Sequence, residues 1–162
     1  MIKKLLLSIM IALPTMAFAQ KFGYVDTQAL MQELPEIKEM QTQLEASAQK
    51  YDAEGKNLQQ EFEKKLKEFQ EMDAATPEAI KQRRTQELQE LDQKIQQFRQ
   101  TAQQDLQRQQ EQLFAPIQQK IMTAIQSVGK EGNYTMIFES NVPIYTGADA
   151  VDLTSAVKAK LK

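Results

Sequence analysis

The sequence has no cysteine, no histidine and no tryptophan. Without cysteine there is no disulfide framework and no thiolate nucleophile. Without histidine the commonest general base and the commonest transition-metal ligand are both missing. Charge of either sign is in short supply as an excess: 20 basic against 22 acidic side chains leave −2. Setting aside residues 1–19, which hold Lys3 and Lys4 and no acid, leaves 18 against 22, or −4. A weakly acidic chain is poorly suited to phosphate-driven binding, so no nucleic-acid partner is expected. Nor does any apolar run reach the ~20 residues of a membrane span. Carboxylate pairs such as Glu61 with Glu63, or Glu87 with Glu90, are the remaining acid/base possibility. Set among lysines on polar helix faces, they read as solvated surface. No catalytic residue, metal or cofactor is expected, and the chain reads as no enzyme.

The first segment reads as an address. Met1–Lys4 is short and basic, and Leu5–Leu13 is apolar apart from Ser8. Pro14 follows, then Ala17-Phe18-Ala19, a small-x-small site. That is the pattern of a secretory signal peptide cleaved between Ala19 and Gln20.

What is abundant is glutamine, 25 residues, mostly between Gln41 and Gln126. Within this polar background Ile37, Leu44, Tyr51 and Leu58 recur every seven residues. Leu34, Ala48, Gly55, Phe62 and Phe69 lie on the complementary series, and Leu66 and Met72 continue the stripe with a slip. A narrow apolar seam of this kind predicts a long helix that pairs with another. The run stops at Asp73–Pro77, where Thr76-Pro77 gives a helix-start signal. A second seam then runs from Ile80 through Leu91, Ile95, Phe98, Ala102 and Ile117 to Val128, before Gly129 and Gly132. Pro35 and Pro116 each remove a helical N–H and are expected to kink or break their helices at matched positions. Gly55 is a third soft point. The expected hairpin spans residues 36–115 with its tip at 73–77, about 55–60 Å long at ~1.5 Å per residue.

Flanking segments alternate with period two. Phe22, Tyr24 and Val25 predict a first strand, Asn133–Glu139 a second, and Val142–Tyr145 a short third with Pro143 at an edge. A last helix is expected over Ser155–Leu161, capped by Asp152 or Thr154. The predicted class is α+β and mostly α: a long antiparallel helical hairpin projecting from a small β-rich body of residues 20–35 and 116–162. So few residues leave sheet edges open, and copies sharing one sheet would close them. Phe22, Tyr24, Val25, Ile137 and Phe138 are the expected oligomer core.

Taken together, these features resemble the Skp (OmpH-like) periplasmic chaperones. The residues that carry the likeness are Phe22-Gly23-Tyr24-Val25-Asp26, Pro35, Pro116-Ile117, Gly132-Asn133-Tyr134 and Val151-Asp152-Leu153-Thr154. The resemblance implies a homotrimer whose helical tentacles enclose unfolded outer-membrane proteins without ATP. Basic tentacles mark the family pattern, and the acidic balance here argues against lipopolysaccharide or membrane contact. A two-helix seam cannot bury aromatics fully, so Phe62, Leu66, Phe69, Met72, Ile80 and Phe98 are the expected client contacts. The competing reading is a structural or adaptor coiled-coil protein of the envelope.

Overall fold

The structure, a computed structural model, describes residues 20–162. The signal-peptide reading, with Ala19, lies outside the described residues. Seven elements follow in order: β1 (Phe22–Val25), α1 (Thr27–Glu33), α2 (Pro35–Gln70), α3 (Glu78–Glu131), β2 (Met136–Glu139), β3 (Val151–Asp152) and α4 (Thr154–Leu161). They form two compact units. One holds residues up to Thr27 together with Ala124–Lys162, and the other holds Gln28–Thr123.

In the helical unit, Pro35 separates α1 from α2. A residue before proline avoids the helical region, and Leu34 is extended at φ −77 and ψ 126. Pro35 then occupies the first turn of α2, where its missing N–H leaves nothing unpaired. At the far end Asp73 builds the turn: its carboxylate accepts the Ala75 N–H at 2.7 Å and its carbonyl the Thr76 N–H at 3.0 Å. Pro77 stands just ahead of α3, and its carbonyl accepts the Ile80 N–H at 2.9 Å. The two long helices run antiparallel. Lys120 donates to Glu36, Tyr51 donates to Asp105, and Lys65 approaches Glu87 at 3.8 Å, so α3 numbers fall as α2 numbers rise.

The return helix is not broken at Pro116, where a kink or break is expected, and it reaches the end that the seam and its glycines predict. It passes through Pro116 and Gly129 and stops at Glu131. Proline removes one intrahelical hydrogen bond, at ~3 kcal/mol. On the residues that follow, Ile117, Ile121, Ala124 and Val128 are all buried, and their packing holds the helix across the defect. Its end is a Schellman motif. Tyr134 N–H reaches the Gly129 carbonyl at 3.0 Å and Asn133 N–H the Lys130 carbonyl at 3.3 Å. Asn133, at φ 53, takes the left-handed position usual for glycine.

The β-rich unit is a parallel sheet in the order β2-β1-β3. Parallel neighbours need a long connection, and between β1 and β2 that connection is the whole helical segment. The third strand is displaced from Val142–Tyr145, which is irregular, to Val151–Asp152. Pro143 has no N–H to give a ladder. Leu153 instead donates to the Tyr24 carbonyl at 2.8 Å and is itself buried. The core comprises Val25, Ala124, Val128, Leu153, Val157 and Leu161. Gly23 lets the Leu153 side chain pack close to the strand: a Cβ there would stand too near the leucine's Cδ1, so one of the two would have to shift. Asp152 accepts the first N–H of α4, from Thr154, at 2.9 Å, and the Thr154 hydroxyl and N–H together hold its carboxyl below its usual range. None of the described helices is long and apolar enough to cross a membrane.

Candidate functional site

A surface that binds other chains must keep apolar groups uncovered, and each unit does so separately. On the hairpin the burial is uneven. Leu58 is the one buried residue of α2, and it packs with Leu91 and Ile95 of α3 in a dry clasp. Phe62 and Phe98 lie against that clasp half-buried. Leu66, Phe69 and Met72 are also half-buried, and Ile80 is 46% exposed. Two helices can enclose a strip about one residue wide, so larger side chains keep one flank open to water.

Polar groups pin the two arms. Tyr51 donates its hydroxyl to Asp105, which also accepts from Arg108 and, at 2.8 Å, from Gln109. These three donors, Tyr51 foremost, depress the Asp105 carboxyl to about 2. The same bond pushes the Tyr51 phenol above its usual value. Nearer the tip Glu87 accepts from Arg84 at 2.7 Å and from Arg83 at 3.0 Å, which lowers its carboxyl. Near the start of α2 the Lys120 ammonium lowers Glu36 in the same way. These cations are thus largely engaged with acids on the same or the facing arm, and little net field is left over.

The β-rich unit presents its own apolar face. Paired residues of parallel strands point to one side, and the register matches Phe22 with Met136 and Tyr24 with Phe138. The Phe22 and Phe138 rings are 6.5 Å apart. Met136 is 54% and Phe138 38% exposed. Val142, Ile144 and Tyr145, from the irregular segment after β2, are exposed too. Phe22, Tyr24, Phe138, Val142, Pro143 and Tyr145 line an open cavity of 370 Å³. Val25 and Ile137 face the other way. Val25 is only 2% exposed, and Ile137 lies over Gly129, at 3.2 Å from where a Cβ there would stand.

The five residues read as an oligomer core are therefore divided between two faces: Phe22, Tyr24 and Phe138 on the open one, and on the other Val25, in the chain's own core, and Ile137, half-buried. Of the candidate contacts on the hairpin, Phe62 and Phe98 meet at the clasp, whereas Ile80 stands in solvent. Pro35 opens a helix, Gly55 lies inside α2, and Pro116 lies inside α3. The sequence reading missed Met136, Val142, Ile144 and Tyr145 as exposed apolar groups. It also missed the Tyr51–Asp105 bond, which joins positions 54 apart. Period-two alternation does put Met136 beside Phe138 on one face, so that signal was present. Nothing local could have announced the Tyr51–Asp105 pair.

A family model described as outer membrane protein (OmpH-like) matches residues 21–161. No curated protein sequence matches the chain. Among solved structures, it is similar to a candidate outer membrane chaperone (OmpH-like) from Caulobacter crescentus CB15. The TM-score is 0.76 at 15% sequence identity, over 88% of this chain and 83% of that one. At that identity the likeness speaks for the fold.

Proposed function

The chain belongs to the OmpH-like family, and from that premise we propose that it is a periplasmic holdase chaperone for unfolded outer-membrane proteins. Residues 1–19 direct export and are removed, so that the working protein begins at Gln20. Three copies associate through the open sheet face bearing Phe22, Tyr24 and Phe138, and their hairpins hold the client in the space between them. No nucleotide is needed, because binding and release follow from many weak contacts. Pro35, Gly55 and Pro116 are the positions at which the helices yield as clients of different size enter.

The observation that carries this reading is the uncovered apolar flank of the hairpin: Phe62, Leu66, Phe69, Met72, Ile80 and Phe98 are each at least partly exposed. Individually such contacts are weak. Against a mobile chain they add up through high local concentration. An adaptor docking another coiled coil would use a similar flank but would bind one partner at a fixed register. The deciding experiment dilutes an unfolded β-barrel protein from urea with and without the purified protein, in the absence of nucleotide. Stoichiometric suppression of aggregation is expected, and unchanged aggregation refutes the holdase. Intact mass of protein from an envelope fraction tests the start at Gln20.

A further inference from the structure

Helix α2 carries a glycine that its packing does not demand. Gly55 lies about twenty residues inside α2, where glycine costs roughly 1 kcal/mol relative to alanine. A Cβ built on it would stand 3.6 Å from the Phe98 ring, an ordinary van der Waals contact. The space is thus available to alanine and is left open. Around it lies a groove of 360 Å³ with Tyr51, Phe98 and Ala102 in its walls and Lys56 and Arg99 also lining it. That volume is in the range of small-ligand pockets. Phe98 is half-buried, with its ring tilted at 59° to Tyr51 and the centroids 6.1 Å apart. The two cations differ: Lys56 is paired with Asp52 at 2.7 Å, whereas Arg99 is in no ion pair among the described residues.

Resting on the holdase reading, we propose that this groove is a slot for a single aromatic side chain of the unfolded client, with the Arg99 guanidinium set against the ring. Two tilted rings already line the groove, and a third ring can pack against them in an offset or edge-to-face arrangement. The face of an aromatic ring is negative, and it complements a free guanidinium as an aliphatic side chain does not. Membrane β-barrels carry girdles of aromatic residues at both interfaces, so their unfolded chains offer such rings at regular intervals. The slot therefore favours barrel chains over equally apolar chains that are rich in leucine.

The test compares two probes with the purified protein: an unfolded eight-stranded barrel protein, and the same protein with its girdle aromatics replaced by leucine. Affinities are read from the anisotropy of a dye on each probe. The aromatic form is expected to bind about threefold to tenfold more tightly. Gly55→Leu fills the slot, and leucine favours the helix, so helix content should hold while the preference disappears. Arg99→Gln is an exposed change that leaves the fold alone and should reduce the preference by about threefold. Equal binding of the two probes by the wild type, or a preference that survives both substitutions, overturns the slot and leaves the holdase intact. Failure to bind either probe overturns the holdase itself.

Discussion

Replacing Leu58 with alanine is the sharpest probe of how the hairpin is held together. Leu58 is 5% exposed, and its partners Leu91 and Ile95 are about as deeply covered, at 6% and 5%. Leucine to alanine removes three carbons, worth roughly 2.4 kcal/mol at ~0.8 per buried carbon. A cavity term adds to this wherever the surroundings cannot relax, and measured values range over ~2–5 kcal/mol. Phe62 and Phe98 pack against the clasp with one flank in water, so they can slump into the gap. The expected loss therefore lies at the low end, about 2–3 kcal/mol. At ~1.4 kcal/mol per factor of ten, opening of this stretch should become about thirtyfold to a hundredfold more frequent. Hydrogen exchange reads this directly: amides near Tyr51–Phe62 and Leu91–Ala102 should lose protection by that factor. Those of β1 and β2 should not change, because Leu58 plays no part in their core. Protein concentration must be equal in the two samples, since association shifts apparent stability. A change below about threefold at those amides would show that the clasp does not hold the arms, and the account of a seam dry at one place and wet elsewhere would fail.

Client affinity should depend only modestly on ionic strength, because residues 50–105 carry 10 basic and 12 acidic side chains interspersed. Phe69→Ser with Met72→Ser should weaken binding more than neutralising Lys64, Lys65 and Lys67, and a hundredfold loss on adding salt would refute the apolar account. Asp105 has a depressed carboxyl, so its stabilisation is complete above the ordinary value of 3.8 and drains away as pH falls through about 2. Asp105→Asn should flatten the acid dependence of hairpin melting across that window, and an unchanged profile would show that the Tyr51 bond is not maintained. Val25→Asp buries a charge inside one copy and should unfold the β-rich unit, whereas Phe138→Asp should keep the fold and reduce the sedimenting mass to that of one chain. A wild type that already sediments as a monomer would refute the proposed association. Exchange should be fast at the tip, Asp73–Pro77, and locally raised at Gly55 and Pro116, and uniform protection along both arms would favour a rigid rod.

The sequence by itself determined the hairpin. A seven-residue apolar period, the Asp73–Pro77 interruption and Pro35 are local signals, because helix propagation and capping depend on neighbours within a turn or two. It also determined that Phe22, Tyr24, Met136 and Phe138 alternate away from Val25 and Ile137. Tertiary structure alone decided which set faces inward: the Leu153 side chain packs closely over Gly23, and Leu153 lies 130 residues away. The same kind of distant fit moved the third strand to Val151–Asp152, where one edge of β1 was still unpaired and Leu153 could be buried. A two-residue strand is too short for any period to mark it. Packing also carried α3 through Pro116: the seam marks the positions after it as apolar, and their burial in the fold, at Ile117 and Ile121, offsets one missing hydrogen bond. The Tyr51–Asp105 bond and the groove beside Gly55 share that origin. They exist because two helices lie side by side in one register, which each helix's own sequence permits but neither can specify alone.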